Sequence, residues 1–194
     1  MPPPMNIGYV DLDPGGLGQV DLQGQAGGGA EVTAPVGGGG VAGHVEPFVA
    51  RKWSIPIGAG LGAAGDGHST AGLFPLRVGF RHRAIPRYLA WGAGLGPSVA
   101  FGEGGASIAG VADLELVLGT SAHRIGFSFG IRPAFSFDAH AFTFYTLLEP
   151  VIAIPVGRAR VTVGLIAGPW VTPTDAGTAS GGFVGAAIGI HRRF

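Results

Sequence analysis

Between Val184 and Phe194 the chain alternates: Val184, Ala186, Ile188, Ile190, Arg192 and Phe194 fall on one side of an extended segment, and Gly185, Ala187, Gly189 and His191 on the other. Successive side chains of a strand point to opposite faces, so this segment has one greasy face and one nearly bare face. The same division recurs upstream. Ile125, Phe127, Phe129, Ile131, Pro133, Phe135 and Phe137 oppose Arg124, Gly126, Ser128, Gly130, Arg132, Ala134 and Ser136. Leu114, Leu116 and Leu118 oppose Asp113 and Glu115, while Phe74, Leu76, Val78 and Phe80 oppose Arg77, Gly79 and Arg81. Val20 and Leu22 likewise oppose Gln19, Asp21 and Gln23. A soluble sandwich shows the same period with its apolar face turned inward. Its second face meets water and is rich in Lys, Glu and Thr. Here the second face is mostly Gly, Ala and Ser with a few charges of both signs, which suits the crowded, curved inside of a barrel.

Charge supports that reading. Only 12% of residues are Asp, Glu, Lys or Arg, against about 25% in soluble domains. Net charge +0 gives no general attraction to nucleic acid. The 38 glycines do not make the chain low-complexity, because Phe, Val, Ile and Leu are spread through most of it. Cysteine is absent, so there is neither a disulfide framework nor a thiolate metal site. No run of about 18 uninterrupted apolar residues exists, since Gly164, Gly168 and Pro169 break the greasiest stretch, so a transmembrane helix is excluded. Met1-Pro2-Pro3-Pro4-Met5 has no basic or apolar region of a leader, so a secretory signal is expected to have been removed from this chain.

Gly, Pro, Asp and Ser cluster at Asp13–Gly16, Gly27–Gly29, Gly37–Gly40, Gly65–Thr70, Gly102–Gly105 and Thr172–Gly182. Read as turns, they divide the chain into strands at roughly 6–12, 17–25, 30–36, 41–51, 53–64, 71–82, 88–101, 106–119, 124–137, 141–156, 159–172 and 181–194. The prediction is all-β: an antiparallel up-and-down transmembrane β-barrel of twelve strands, with ten as the first alternative and eight as the second. Residues 1–5 are expected to be a flexible tail and 6–194 one barrel domain.

Alternation running to an aromatic last residue resembles the closing strand of bacterial outer-membrane β-barrels of small porin-like or OmpA-like type. The resemblance covers about residues 41–194 and rests on architecture rather than on a diagnostic motif. It implies an outer-membrane location, lipid as solvent, and recognition of Phe194 by the barrel-assembly machinery. It also implies that Phe194 lies at the periplasmic rim. Arg51, Lys52, Arg81, Arg83, Arg87, Arg124, Arg158, Arg160, Arg192 and Arg193 then gather at that end, ten of the twelve basic residues. Asp13, Asp66, Glu103, Asp138 and Asp175 mark the opposite loops, which carry no Lys or Arg. Such an acidic mouth raises the local cation concentration, although Arg also snorkels well at any interface. Trp53, Tyr88 and Phe194 near the basic end, and Trp170 and Tyr145 near the acidic end, are placed as interfacial girdles.

On the inner face the pattern puts Glu46, Arg77, Arg81, Asp113, Glu115, Arg132 and Glu149, a nearly balanced set. Charges in a narrow bore are costly unless paired, so Arg77 or Arg132 is expected to meet Asp113, Glu115 or Glu149. They form either a filter or a network that merely fills the interior. Several apparent motifs dissolve on inspection. Gly126–Gly130 matches G-x-S-x-G, but extended alternation continues through it instead of a strand-to-helix turn exposing Ser128. Gly58–Ala63 matches a dinucleotide fingerprint, but Gly65-Asp66-Gly67 follows where a helix is needed. The six His residues lack metal-ligand spacing, so no metal and no cofactor is expected. No catalytic residue is assigned. The function predicted is a small passive pore for cationic or neutral solutes. Three alternatives stand beside it: a closed structural barrel, an outer-membrane lipid hydrolase using His68-Ser69 or His140, and a soluble glycine-rich β-sandwich assembling through its edges.

Overall fold

The computed structural model describes residues 10, 12, 16–30, 35–66, 68–103, 105–121, 125–138, 141–175 and 177–194. Eleven strands follow in order: β1 (Gly18–Ala30), β2 (Pro35–Ala50), β3 (Trp53–Ser54), β4 (Ile57–Gly65), β5 (Thr70–Ile85), β6 (Leu89–Gly102), β7 (Gly105–Ser121), β8 (Gly126–Phe137), β9 (Phe142–Val156), β10 (Ala159–Thr174) and β11 (Gly177–Arg193). Every pairing is antiparallel, and β1 pairs with both β2 and β11, so the sheet closes on itself. A two-sheet sandwich is thereby ruled out.

The barrel has ten staves. Both β3 and β4 pair with β2 on one side and β5 on the other, so together they fill one place. Pro56, with no N–H to donate, separates them. The ladder is stitched across the gap by Ile55 N–H to the Pro47 carbonyl (3.1 Å) and Gly79 N–H to the Pro56 carbonyl (2.9 Å).

Twelve strands is therefore an overcount, and glycine is the reason. Gly27–Gly29 and Gly37–Gly40, read above as turns, lie inside β1 and β2 and pair with one another, Gly27 opposite Gly38 and Gly28 opposite Gly37. A Cβ built on Gly38 would stand 2.5 Å from the Ala63 carbonyl oxygen, and one on Gly40 would stand 2.4 Å from that of Leu61. The neighbouring backbone comes too close there for any side chain. The segments expected at 17–25, 30–36 and 41–51 thus collapse into two long strands. Of the segment expected at 6–12, only Val10 and Leu12 are described. They are not in a strand: both are buried inside the barrel against Ala90 and Val117, and the Leu12 carbonyl accepts the Arg87 N–H at 2.9 Å. The expected tail at 1–5 lies outside the described residues.

Parity decides which way each side chain points. Leu22, Val41, Leu61, Val78, Leu114, Ile152, Leu165 and Ile188 are exposed on the outside of successive staves, Leu95 to 68%. Along the inside run Gln19, Glu46, Arg77, Asp113, Arg132, Glu149 and Thr162, each almost wholly shielded. The hydrophobic residues cover the wall, and the charges fill the bore.

Candidate functional site

Even among small inward-facing residues, a charged side chain in the bore must find a partner or pay a desolvation cost of several kcal/mol. Eight do so in one continuous chain: Arg83, Glu46, Arg81, Glu115, Arg77, Asp113, Arg132 and Glu149, four of each sign. Arg83 reaches Glu46 at 2.8 Å, and Arg81 bridges Glu46 to Glu115, the latter at 2.6 Å. Arg77 grips Asp113 with two nitrogens at 2.6 and 2.8 Å and touches Glu115 at 3.1 Å. Arg132 closes the chain, 2.6 Å from Glu149 and 3.4 Å from Asp113. Gln19 and Ser54 add hydrogen bonds to Glu46, and the Arg83 guanidinium sits 4.3 Å from the Phe48 ring centre.

The reach from β5 to β7 crosses β6, and glycine makes it feasible. Arg81, Gly92 and Glu115 stand in one cross-strand row. A Cβ on Gly92 would come within 2.7 Å of the Glu115 carboxylate, and one on Gly94 within 2.4 Å of the Arg77 guanidinium. The bare backbone of β6 is the shelf on which these side chains lie.

Above this chain, at the end where Asp66, Glu103, Asp138 and Asp175 occupy the hairpin loops, the bore opens into a cup of about 760 Å³. Arg77, Asp113 and Arg132 form its floor. Below the floor lies a space of about 10 Å³, bounded by Gln19, Asp21, His44, Glu46, Pro56, Arg77 and Arg81. That is the threshold for holding one water.

All seven residues expected in the bore are in the chain of ion pairs. Arg51, Lys52, Arg87 and Arg158 lie in the turns of the opposite end, and Arg192 is exposed beside them. Arg160 and Arg193, at the strand ends on that side, are half-buried on inward-facing parity. Arg83, also expected on the rim, is instead 1% exposed and belongs to the network, because β5 runs three residues past the expected end at 82. Its parity with Arg77 and Arg81 was the available signal. Arg124 and Asp13 lie outside the described residues. Tyr145 and Trp170 do not form an outer girdle: both line the cup, with Tyr145 in the inner cluster of Ala134, Leu147 and Ile166 against which Trp170 and Phe183 pack. Trp53, Phe80 and Trp91 do face outward near the basic end, their rings 5.8 to 6.2 Å apart. Phe194 locks the seam, its carbonyl accepting the Leu17 N–H at 2.7 Å and its N–H donating to Gly18 at 3.1 Å. His68 and Ser69 form no dyad. Their backbone N–H groups both bond Asp66 Oδ1 at 2.9 Å, which holds that carboxyl below the usual carboxylate range. His140 lies outside the described residues.

One buried acid stands apart from the chain of pairs. Asp21 is 3% exposed, and neither carboxylate oxygen has a hydrogen-bond partner among the described residues. It faces His44 across β2 and His191 across β11, all three buried. An unpaired buried carboxylate is costly. Asp21→Asn is expected to raise folding stability by about 1–3 kcal/mol, read as a higher unfolding midpoint; a lower midpoint would show that the charge is satisfied.

No family model matches this chain, and no curated protein does. Among solved structures, the translocator domain of autotransporter NalP from Neisseria meningitidis aligns with 13% sequence identity and a TM-score of 0.44, covering 93% of this chain and 89% of that one. The likeness is too loose for any residue-by-residue correspondence, and the closed barrel rests on the strand pairings themselves.

Proposed function

We propose that this chain is a bacterial outer-membrane β-barrel, sealed at rest across its basic half and open as a cup at its acidic end. One observation supports the membrane most: large apolar side chains stand exposed on the outside of successive staves, while the described charges sit in the bore, in the end turns or, like Arg192, at a strand end. Water would oppose that arrangement and lipid favours it. On this reading the acidic end faces outward, and the C-terminal strand ending in Phe194 is what the assembly machinery grips. No catalysis is assigned. The sealing follows from the ion-pair chain, whose members are 6% exposed or less.

A second reading, passage of small cationic or neutral solutes, draws on a different observation. Arg77 borders both the cup and the small space beneath it, so one guanidinium layer divides them. Planar-bilayer recording separates the two. The wild-type protein is expected to show no conductance steps, and steady steps would overturn the seal. Removing one complete pair with Arg77→Ser/Asp113→Ser leaves Arg81–Glu115 and Arg132–Glu149 intact; continued silence of that variant would reject passage. A protein that stays folded and soluble without detergent would refute the membrane reading itself.

A further inference from the structure

The cup has two unlike walls. Tyr145, Trp170 and Phe183, on β9, β10 and β11, supply aromatic surface to one side. Five staves away around the ring of ten, β4, β5 and β6 present Gly62, Ala71 and Gly96. That second wall is built mostly of small residues, with Leu73 and Pro75 among them, and it is bare where the backbone crowds in: a Cβ on Gly62 would stand 2.8 Å from the Gly39 carbonyl oxygen and one on Gly96 2.1 Å from that of Leu76. Between an aromatic wall and one of mostly small residues lies a slot. At about 760 Å³ it falls within the range of small-molecule sites, roughly 300–1,000 Å³.

Charge decides what enters. Among the described residues, the two basic side chains lining the cup, Arg77 and Arg132, are both committed to buried carboxylates. The mouth contributes Asp66 and Asp138, from hairpins four staves apart, so both sides of the entrance are anionic. All three side-chain hydrogen bonds to Asp66 end on Oδ1, with His68 N–H, Ser69 N–H and Ser69 Oγ–H as donors. An anion would meet repulsion at the rim and find both floor guanidiniums occupied. A cation gains at the rim, and aromatic ring faces attract ammonium groups further.

We propose that the cup binds a small organic cation: an ammonium head drawn into the mouth that Asp66 and Asp138 line, and a flat or apolar body lying in the slot against Trp170 and Phe183. This rests on the cup being accessible from the acidic end, as proposed above, and not on whether the basic half conducts. The probe is benzyltrimethylammonium, with benzyl alcohol and benzoate as its neutral and anionic counterparts. Titrated by calorimetry into detergent-solubilised protein, benzyltrimethylammonium is expected to bind saturably and benzoate not at all. In Trp53→Phe/Trp91→Phe protein, where Trp170 is the remaining tryptophan, the same titration shifts the fluorescence. Asp66→Asn/Asp138→Asn is expected to raise the Kd about tenfold, and Trp170→Leu to weaken binding of the cation and of benzyl alcohol together. Equal binding of benzoate and the cation, a non-saturating response from folded protein, or an unchanged Kd in the double Asn variant would each overturn the proposal. Saturable cation binding by protein found soluble without detergent would uphold the cup and sink the membrane reading instead.

Discussion

Replacing Arg132 with methionine is expected to cost about 3–5 kcal/mol of folding stability. Arg132 is wholly buried between Glu149 and Asp113, and the substitution takes away the guanidinium that stands 2.6 Å from the buried Glu149 carboxylate. The lost contact matters less than the charge left behind. The double variant Arg132→Met/Glu149→Leu removes both charges and should recover most of the loss, because apolar replacements of a complete buried pair are often neutral or stabilising. Reversible urea unfolding from lipid vesicles, followed by tryptophan fluorescence, measures both. A double variant as unstable as the single one would show that packing, not charge pairing, holds this part of the bore.

The second large effect lies on the opposite face of the wall. Leu95 is 68% exposed near the middle of β6. Leu95→Arg is expected to destabilise the vesicle-inserted protein by about 2–4 kcal/mol, the cost of a cation at the midplane of a bilayer. In water the same change would be close to neutral. Because Leu95 points away from the ion-pair chain, its effect reports the surrounding solvent alone. An unfolding midpoint unchanged by Leu95→Arg in vesicles would mean that lipid does not cover this belt.

How much of this was readable beforehand depends on the residue. Two-residue periodicity assigned Arg77, Asp113, Arg132 and their companions to one face, because parity survives any uncertainty about where strands end. Strand number did not survive it. Gly27–Gly29 and Gly37–Gly40 carry the composition of turns but the environment of a tightly packed ladder, and only the neighbouring strands reveal which applies. Arg83 was lost the same way, through an end placed three residues short. The pairing pattern was legible only as a balance of signs. Which acid meets which base depends on a crossing over Gly92 and Gly94, and no local signal records it. Trp170 and Tyr145 show the reverse error, since aromatic residues near a barrel end suggest an interfacial belt while their parity turns them inward.

The seam between β1 and β11 sets the order of events during folding. Its partners are the first and last strands in the chain, Gln19 meeting Arg193 and Leu22 meeting Ile190. Every other pairing is a neighbour-to-neighbour hairpin, or nearly so, and can form as soon as its two strands exist. Closure alone must wait for the whole sheet to be laid out, and it carries the highest loop-closure entropy of any step. Until then the intermediate is a curved sheet with two raw hydrogen-bonding edges, open to mispairing with a second copy. The ring is therefore a coincidence detector: the edges are retired only when β11 arrives in register, and a chain halted short of it remains sticky and identifiable as unfinished.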